Sequence, residues 1–166
     1  AGSFAAPTGN FNLGGTFTGS TTIFEHTSGT FSHSNGTVVL QPYRSSCSAT
    51  NYNFSLLAAT RFYNIEFNGS QSCGKAARFN TTASPGIIEN NLTQTNGYIL
   101  GTWELQGNLI VGASGDGGTG TITMNSTTAQ TYSSASTART CHLIVDKAAG
   151  AVTPLGGTTQ LYTQGF

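Results

Sequence analysis

Short runs in which apolar and polar residues alternate recur from one end of the chain to the other. Phe11, Leu13, Gly15 and Phe17 alternate with Asn12, Gly14, Thr16 and Thr18. Thr37-Val38-Val39-Leu40-Gln41 follows the turn signal Ser34-Asn35-Gly36. Further runs lie at Phe62 to Phe67, Tyr98 to Leu105, Asn108 to Val111, Thr119 to Met124, His142 to Val145 and Thr158 to Tyr162. They are rich in β-branched and aromatic residues and bounded by Gly, Asn, Ser or Pro, which predicts strands. Ser55 to Thr60 is the sole helical candidate, and it is too short for more than one turn. The pattern predicts an all-β protein with many short strands.

The two halves of the chain resemble one another. Gly36-Thr37-Val38-Val39-Leu40 matches Gly120-Thr121-Ile122-Thr123-Met124, and Phe62 to Phe67 matches Cys141 to Asp146. Each half reads as strand, Gly-rich turn, strand, polar loop, strand. This predicts one all-β domain over residues 1–166, with degenerate units of roughly 80 residues at about 10–90 and 91–166. A β-solenoid or a stacked β-sandwich satisfies that organisation.

Composition narrows the function classes. Gly, Ser, Thr and Asn number 22, 17, 27 and 13, close to half of the 166 residues, while Lys and Arg total 6 and Asp and Glu total 6. Six positive charges cannot build the phosphate-neutralising surface of a nucleic-acid partner. A polybasic membrane surface is excluded for the same reason. No apolar run approaches the roughly 20 residues of a spanning helix. Ten Phe, six Tyr and one Trp argue for a buried core rather than disorder.

Three cysteines, Cys47, Cys73 and Cys141, match no metal spacing. Cys47 and Cys73 both sit in Ser-rich segments and are the candidate disulfide, given an oxidising compartment. Cys141 is then a buried thiol or, less simply, an intersubunit bridge. The start Ala1-Gly2-Ser3, without Met, fits a mature secreted product. Six sequons mark candidate glycosylation at Asn35, Asn53, Asn68, Asn80, Asn91 and Asn125.

The pattern Gly120 to Met124, Gln130-Thr131, then Leu143-Ile144-Val145-Asp146-Lys147 with Gly150 and Ala151-Val152-Thr153 resembles the repeats of large secreted bacterial surface proteins and adhesins. His26 to Gln41 is similar to the strand pair of the same repeats. The resemblance implies an extracellular β-solenoid without a catalytic centre. The segment Ser45 to Ala59, carrying Cys47, is an insertion relative to them.

Catalytic chemistry finds little to work with. The carboxylates Glu25, Glu66, Glu89, Glu104, Asp116 and Asp146 are far apart in sequence. Glu66 and Asp146 hold equivalent repeat positions, which is the one route to a glycosidase-like pair. The simpler expectation makes both outward strand residues. His26, His33 and His142 lack a GxSxG elbow. His26 and His33 flank an expected hairpin, Thr27 to Thr30, yet lack a third metal ligand. Ser114 to Thr119 reads as a flexible turn with one carboxylate, too few for calcium. No catalytic, metal or cofactor site is expected.

The expectation is an extracellular structural protein: a fibre subunit or adhesin stalk that associates with itself through exposed strand edges. Zero net charge leaves little self-repulsion to oppose this. The alternative is a carbohydrate-binding module stacking surface glycans on Trp103, Tyr43 and Tyr52. An ice-binding face, from Thr16/Thr18 and Thr121/Thr123, and a polysaccharide-acting β-helix enzyme stand behind it.

Overall fold

The computed structural model describes residues 2–45, 48–72 and 77–156. Among them, β1 (Ser3–Ala5), β2 (Asn10–Thr16), β3 (Thr21–His26), β4 (Thr30–Ser32), β5 (Thr37–Arg44) and β6 (Thr50–Leu56) come first. β7 (Arg61–Phe62), β8 (Asn64–Asn68), β9 (Ser70–Gln71), β10 (Ala77–Thr82), β11 (Gly86–Ile88) and β12 (Leu92–Ile99) follow. β13 (Thr102–Leu105), β14 (Leu109–Met124), β15 (Gln130–Ser134), β16 (Arg139–Val145) and β17 (Val152–Leu155) complete the series.

Every described pairing is parallel, and the protein is a curled, open, all-β sheet. One ladder runs β2–β5–β8–β12–β14–β15–β17. A second runs β3–β6–β10–β12, and a third runs β7–β11–β13–β14–β16. β1 and β4 pair separately. The chain makes a short return where Leu92 meets Leu109, and the longest among the described pairings is where Thr21 meets Tyr52. A parallel pair needs a long crossover. Here the crossovers are strands of the other ladders.

Alternation explains the core. Val38 and Leu40, Ile65 and Phe67, and Leu109 and Val111 turn inward on the first ladder, and all are buried. Trp103 occupies the centre, edge-on to Phe54 at 5.3 Å and to Phe67 at 5.0 Å between ring centroids. Phe67 stacks on Phe79 at 4.5 Å. Gly86 lies against the Trp103 ring, where a Cβ would collide with the six-membered ring, so this position takes only glycine.

Several sequence expectations change. The hairpin across Thr27 to Thr30 is absent: β3 pairs with β6 and β4 with β1, because each strand follows its own parallel ladder. Ser55 to Thr60 is not helical. Ser55 and Leu56 finish β6, and a turn closes with Thr60 N donating to Leu57 O at 2.9 Å. The segment Ser45 to Ala59 supplies β6, an integral strand rather than an appended loop. Ser114 to Thr119 is extended within β14, bent at Gly117 (φ 79°) and Gly118 (φ 148°). Thr37 to Leu40 pairs with Asn64 to Phe67, and Thr121 to Met124 with His142 to Val145. The two halves thus each hold a neighbouring pair of strands, but no described ladder joins either strand to its counterpart in the other half. The expected strand Thr158 to Tyr162 lies outside the described residues.

Candidate functional site

The most distinctive surface is the N-terminal end of the first ladder. Among the described residues β2 is paired on one side only, to β5. Gly9 O accepts from Thr37 N at 3.0 Å and Phe17 N donates to Tyr43 O at 3.0 Å, so odd-numbered residues face β5. In a parallel ladder the alternate residues point their N–H and C=O the other way. Asn10, Asn12, Gly14 and Thr16 therefore present four donor–acceptor pairs outward. None is charged or proline, and the first charged residue of the chain is Glu25. Proteins usually blunt such an edge with charge, proline or a bulge.

The opposite end differs. Gln130 N donates to Ala151 O at 2.9 Å, so Val152 and Pro154 of β17 face away from β15. Pro154 has no N–H to offer there. The described C-terminal edge is proline-blunted, and the N-terminal edge is not.

A column of asparagines runs along the same ladder. Asn64 Nδ2 donates to Thr37 Oγ1 at 3.3 Å. Asn90 Nδ2 and Asn91 N donate to Asn64 Oδ1 at 2.9 and 3.0 Å. Asn108 Nδ2 donates to Asn91 Oδ1 at 3.1 Å, and Thr131 donates through N and Oγ1 to Asn108 Oδ1 at 2.8 and 2.9 Å. Asn10 stands opposite Thr37, and Thr131 opposite Thr153. The column satisfies polar groups at the corner where the chain enters this ladder, and so holds successive strands in register. Alternation alone does not reveal it. Its signal is the recurrence of Asn or Thr just before an apolar pair two positions apart: Asn10-Phe11-x-Leu13, Thr37-Val38-x-Leu40, Asn64-Ile65-x-Phe67, Asn108-Leu109-x-Val111.

The sequon asparagines sit in this frame unevenly. Asn35 is exposed in a turn, while Asn53, Asn68, Asn80, Asn91 and Asn125 are half-buried. Asn80 Nδ2 donates to Asn53 Oδ1 at 3.1 Å and Asn125 Nδ2 to Glu104 Oε2 at 3.2 Å. Cys47 and Cys73 lie outside the described residues. Their flanks are neighbours, for Arg44 stands opposite Gln71 in the β5–β9 ladder. Cys141 is buried, and burial pushes its thiol pKa up to about 12. An intersubunit bridge through that sulfur would require opening the core.

The candidate catalytic groups are not assembled. Glu66 pairs along the first ladder with Val39 and Thr93, and its Oε1 accepts from Thr95 Oγ1 at 2.7 Å. Asp146 follows β16 on the third ladder, with its N donating to Met124 O. His26 Nε2 donates to Gly29 O at 3.4 Å, so its Nδ1 accepts from Thr60 Oγ1 at 2.8 Å. His33 Nε2 donates to Glu89 Oε2 at 3.1 Å, and its Nδ1 accepts from Asn35 N at 3.0 Å. Burial raises the Asp116 carboxyl pKa, and Arg139 opposes that rise. No group of three His, Cys, Asp or Glu among the described residues is placed to hold a metal.

The aromatic platform is likewise dismantled. Trp103 and Tyr52 are fully buried in the core, and of the three only Tyr43 is exposed. Trp103 Nε1 donates to Leu100 O at 2.9 Å. Thr121 stands between Thr102 and His142, and Thr123 between Glu104 and Ile144, so the rank of threonines extends one position to Thr102 and no further. No described helix is long and apolar enough to cross a membrane. No family model, no curated protein and no solved structure matches this chain.

Proposed function

We propose that the chain is a structural module of an extracellular fibre or adhesin stalk, wound as a β-solenoid and joined to its neighbour through the open edge of β2. The observation that carries this is the edge itself: four outward backbone pairs on a strand with no charge and no proline. A strand added there gains main-chain hydrogen bonds along its length. Zero net charge adds little repulsion between copies. The parallel ladders, to which the chain returns again and again from Leu13 to Leu155, support the solenoid winding. The carboxylates are scattered, with Glu66, Glu89 and Glu104 each held in a separate local contact, and this supports a role without catalysis. Cys47 and Cys73 as a disulfide would suit an oxidising, extracellular setting.

Sedimentation velocity and negative-stain microscopy of the native protein test the proposal, with Asn12→Pro as the variant. The Asn12 N–H faces outward, so proline there removes an edge donor without removing a bond of the chain's own ladder. The expected result is concentration-dependent assembly of the native chain, lost in Asn12→Pro with the melting temperature nearly unchanged. A native chain that stays monomeric at high concentration would sink it.

A further inference from the structure

The open strand β2 is matched to itself. Asn10, Asn12, Gly14 and Thr16 are exposed and turn their N–H and C=O groups outward, while Phe11 and Leu13 are half-buried on the core face. Antiparallel strands exchange two hydrogen bonds wherever two such outward residues stand opposite each other. Against a second β2 running the other way, one register alone matches all four. Asn10 meets Thr16 and Asn12 meets Gly14, and the same pairs recur across a two-fold axis, giving about eight main-chain bonds. A slip of two residues either way leaves one outward residue of each strand unmatched.

That register also suits the side chains. Phe11 stands opposite Gly15 and Asn12 opposite Gly14, so each larger side chain meets a glycine. Leu13 stands opposite its own copy on the axis. The core face of this end lacks a final layer. Phe11 and Leu13 pair with Val38 and Leu40, which are buried, yet are only half-covered themselves. Phe4, 49% exposed, leans on Phe11 at 5.4 Å. A partner's Phe11 and Leu13 would extend the apolar column by one strand. No charge opposes the approach, for β2 has none and the first charged residue of the chain is Glu25.

The described far end of the same ladder is a poorer partner. β17 is four residues long, and of its outward Val152 and Pro154 only Val152 carries an N–H. A head-to-tail joint there would leave most of the outward groups of β2 bare. We infer that the β2 edge takes the β2 edge of a second copy, antiparallel, with Leu13 on the two-fold axis. The inference rests on the reading that β2 is where the chain joins its neighbour, and it adds which strand of the neighbour is taken. Such a joint is closed: it links two copies head to head and is then used up.

Oxidative cross-linking at chosen positions of the full chain tests it, with each bridge located by non-reducing peptide mapping. In Leu13→Cys the two sulfurs face each other across the axis, with Cα atoms about 4.5 Å apart, within the span of a disulfide. In Asn10→Cys the like positions lie about 20 Å apart. The Leu13→Cys bridge should therefore form at least about tenfold faster than any bridge in Asn10→Cys alone. Mixing Asn10→Cys with Thr16→Cys chains should create a bridge that neither forms by itself. Both residues are exposed, so this pair serves even where Leu13→Cys fails to fold. Sedimentation velocity of the native chain and of Asn12→Pro separates the two readings. A native chain that stays monomeric, or assembly untouched by Asn12→Pro, overturns both. Assembly that Asn12→Pro abolishes, with no bridge in the Asn10→Cys and Thr16→Cys mixture, overturns the antiparallel pairing alone and leaves β2 joined to a different strand.

Discussion

At the scale of single residues, Cys141 and Trp103 make the sharpest demands. The Cys141 thiol keeps its proton to about pH 12 in the folded chain, against about 9 when exposed. Between those values the unfolded chain loses a proton that the folded chain retains, so stability falls as pH rises. The difference corresponds to about 4 kcal/mol by the top of that window. Burial raises the Tyr132 phenol in the same sense. Urea denaturation across the alkaline range should show the decline, and Cys141→Ala should flatten it. The same burial makes Cys141 inert to thiol reagents in the native state. A non-reducing peptide map should find it free and Cys47 linked to Cys73, and reducing that bridge should lower stability by about 3 kcal/mol. Trp103→Ala removes a ring packed on Phe54 and Phe67 and leaves a cavity, with an expected cost of about 3–5 kcal/mol in the same assay. The place of such core residues is only partly legible in the sequence. Trp103 sits between Leu100 and Leu105 in an apolar run, which suits a core position as well as an exposed platform. Only the inward turn of β13 decides it.

At the scale of elements, the asparagine column is the informative device. Asn108 accepts twice from Thr131 and donates to Asn91. Asn108→Ala should cost about 1–3 kcal/mol, because it strands a half-buried amide partner on each side. The loss should appear in hydrogen exchange first at Leu109 and Tyr132, the paired residues just past the column. The strands themselves are readable: alternation locates β2, β5, β8, the ends of β14, and β16. Their neighbours are not. Period-two alternation says which face a residue takes and nothing about which strand lies beside it. An antiparallel hairpin is the natural expectation around Thr27 to Thr30, where a Gly-bearing turn joins two short strands. A turn of that composition serves equally to pass the chain from one parallel ladder to the next.

At the scale of the whole molecule, the returns of the chain are unequal. The stretch from Thr37 to its partner Asn64 is much longer than the stretch from Leu92 to its partner Leu109. No single period therefore runs through the sequence, and the self-similarity of the two halves joins strands that never touch. The open edge is legible in general terms from the uncharged N-terminal stretch. Its contrast with the proline-blunted β17 is not, since it depends on which way each backbone N–H points. Strands paired on both sides, β8, β12 and the start of β14, should exchange their amides most slowly. β1, β2 and β17, each paired on one side among the described residues, should exchange fastest. A uniform protection profile would contradict a stack built from neighbour contacts.

The parallel ladders also fix how the molecule yields to force. β2 and β17 lie at opposite ends of the first ladder, so a load applied across the chain acts on the outermost strands first. Each strand peeled away frees only the residues up to its next return. The returns range from that of Leu92 to Leu109 up to that of Thr21 to Tyr52. At roughly 3.4 Å per residue, one rupture therefore lengthens the tether by about 60–110 Å. In optical tweezers the extension should rise in several unequal steps instead of one. Such a chain lengthens under tension while its remaining ladders hold.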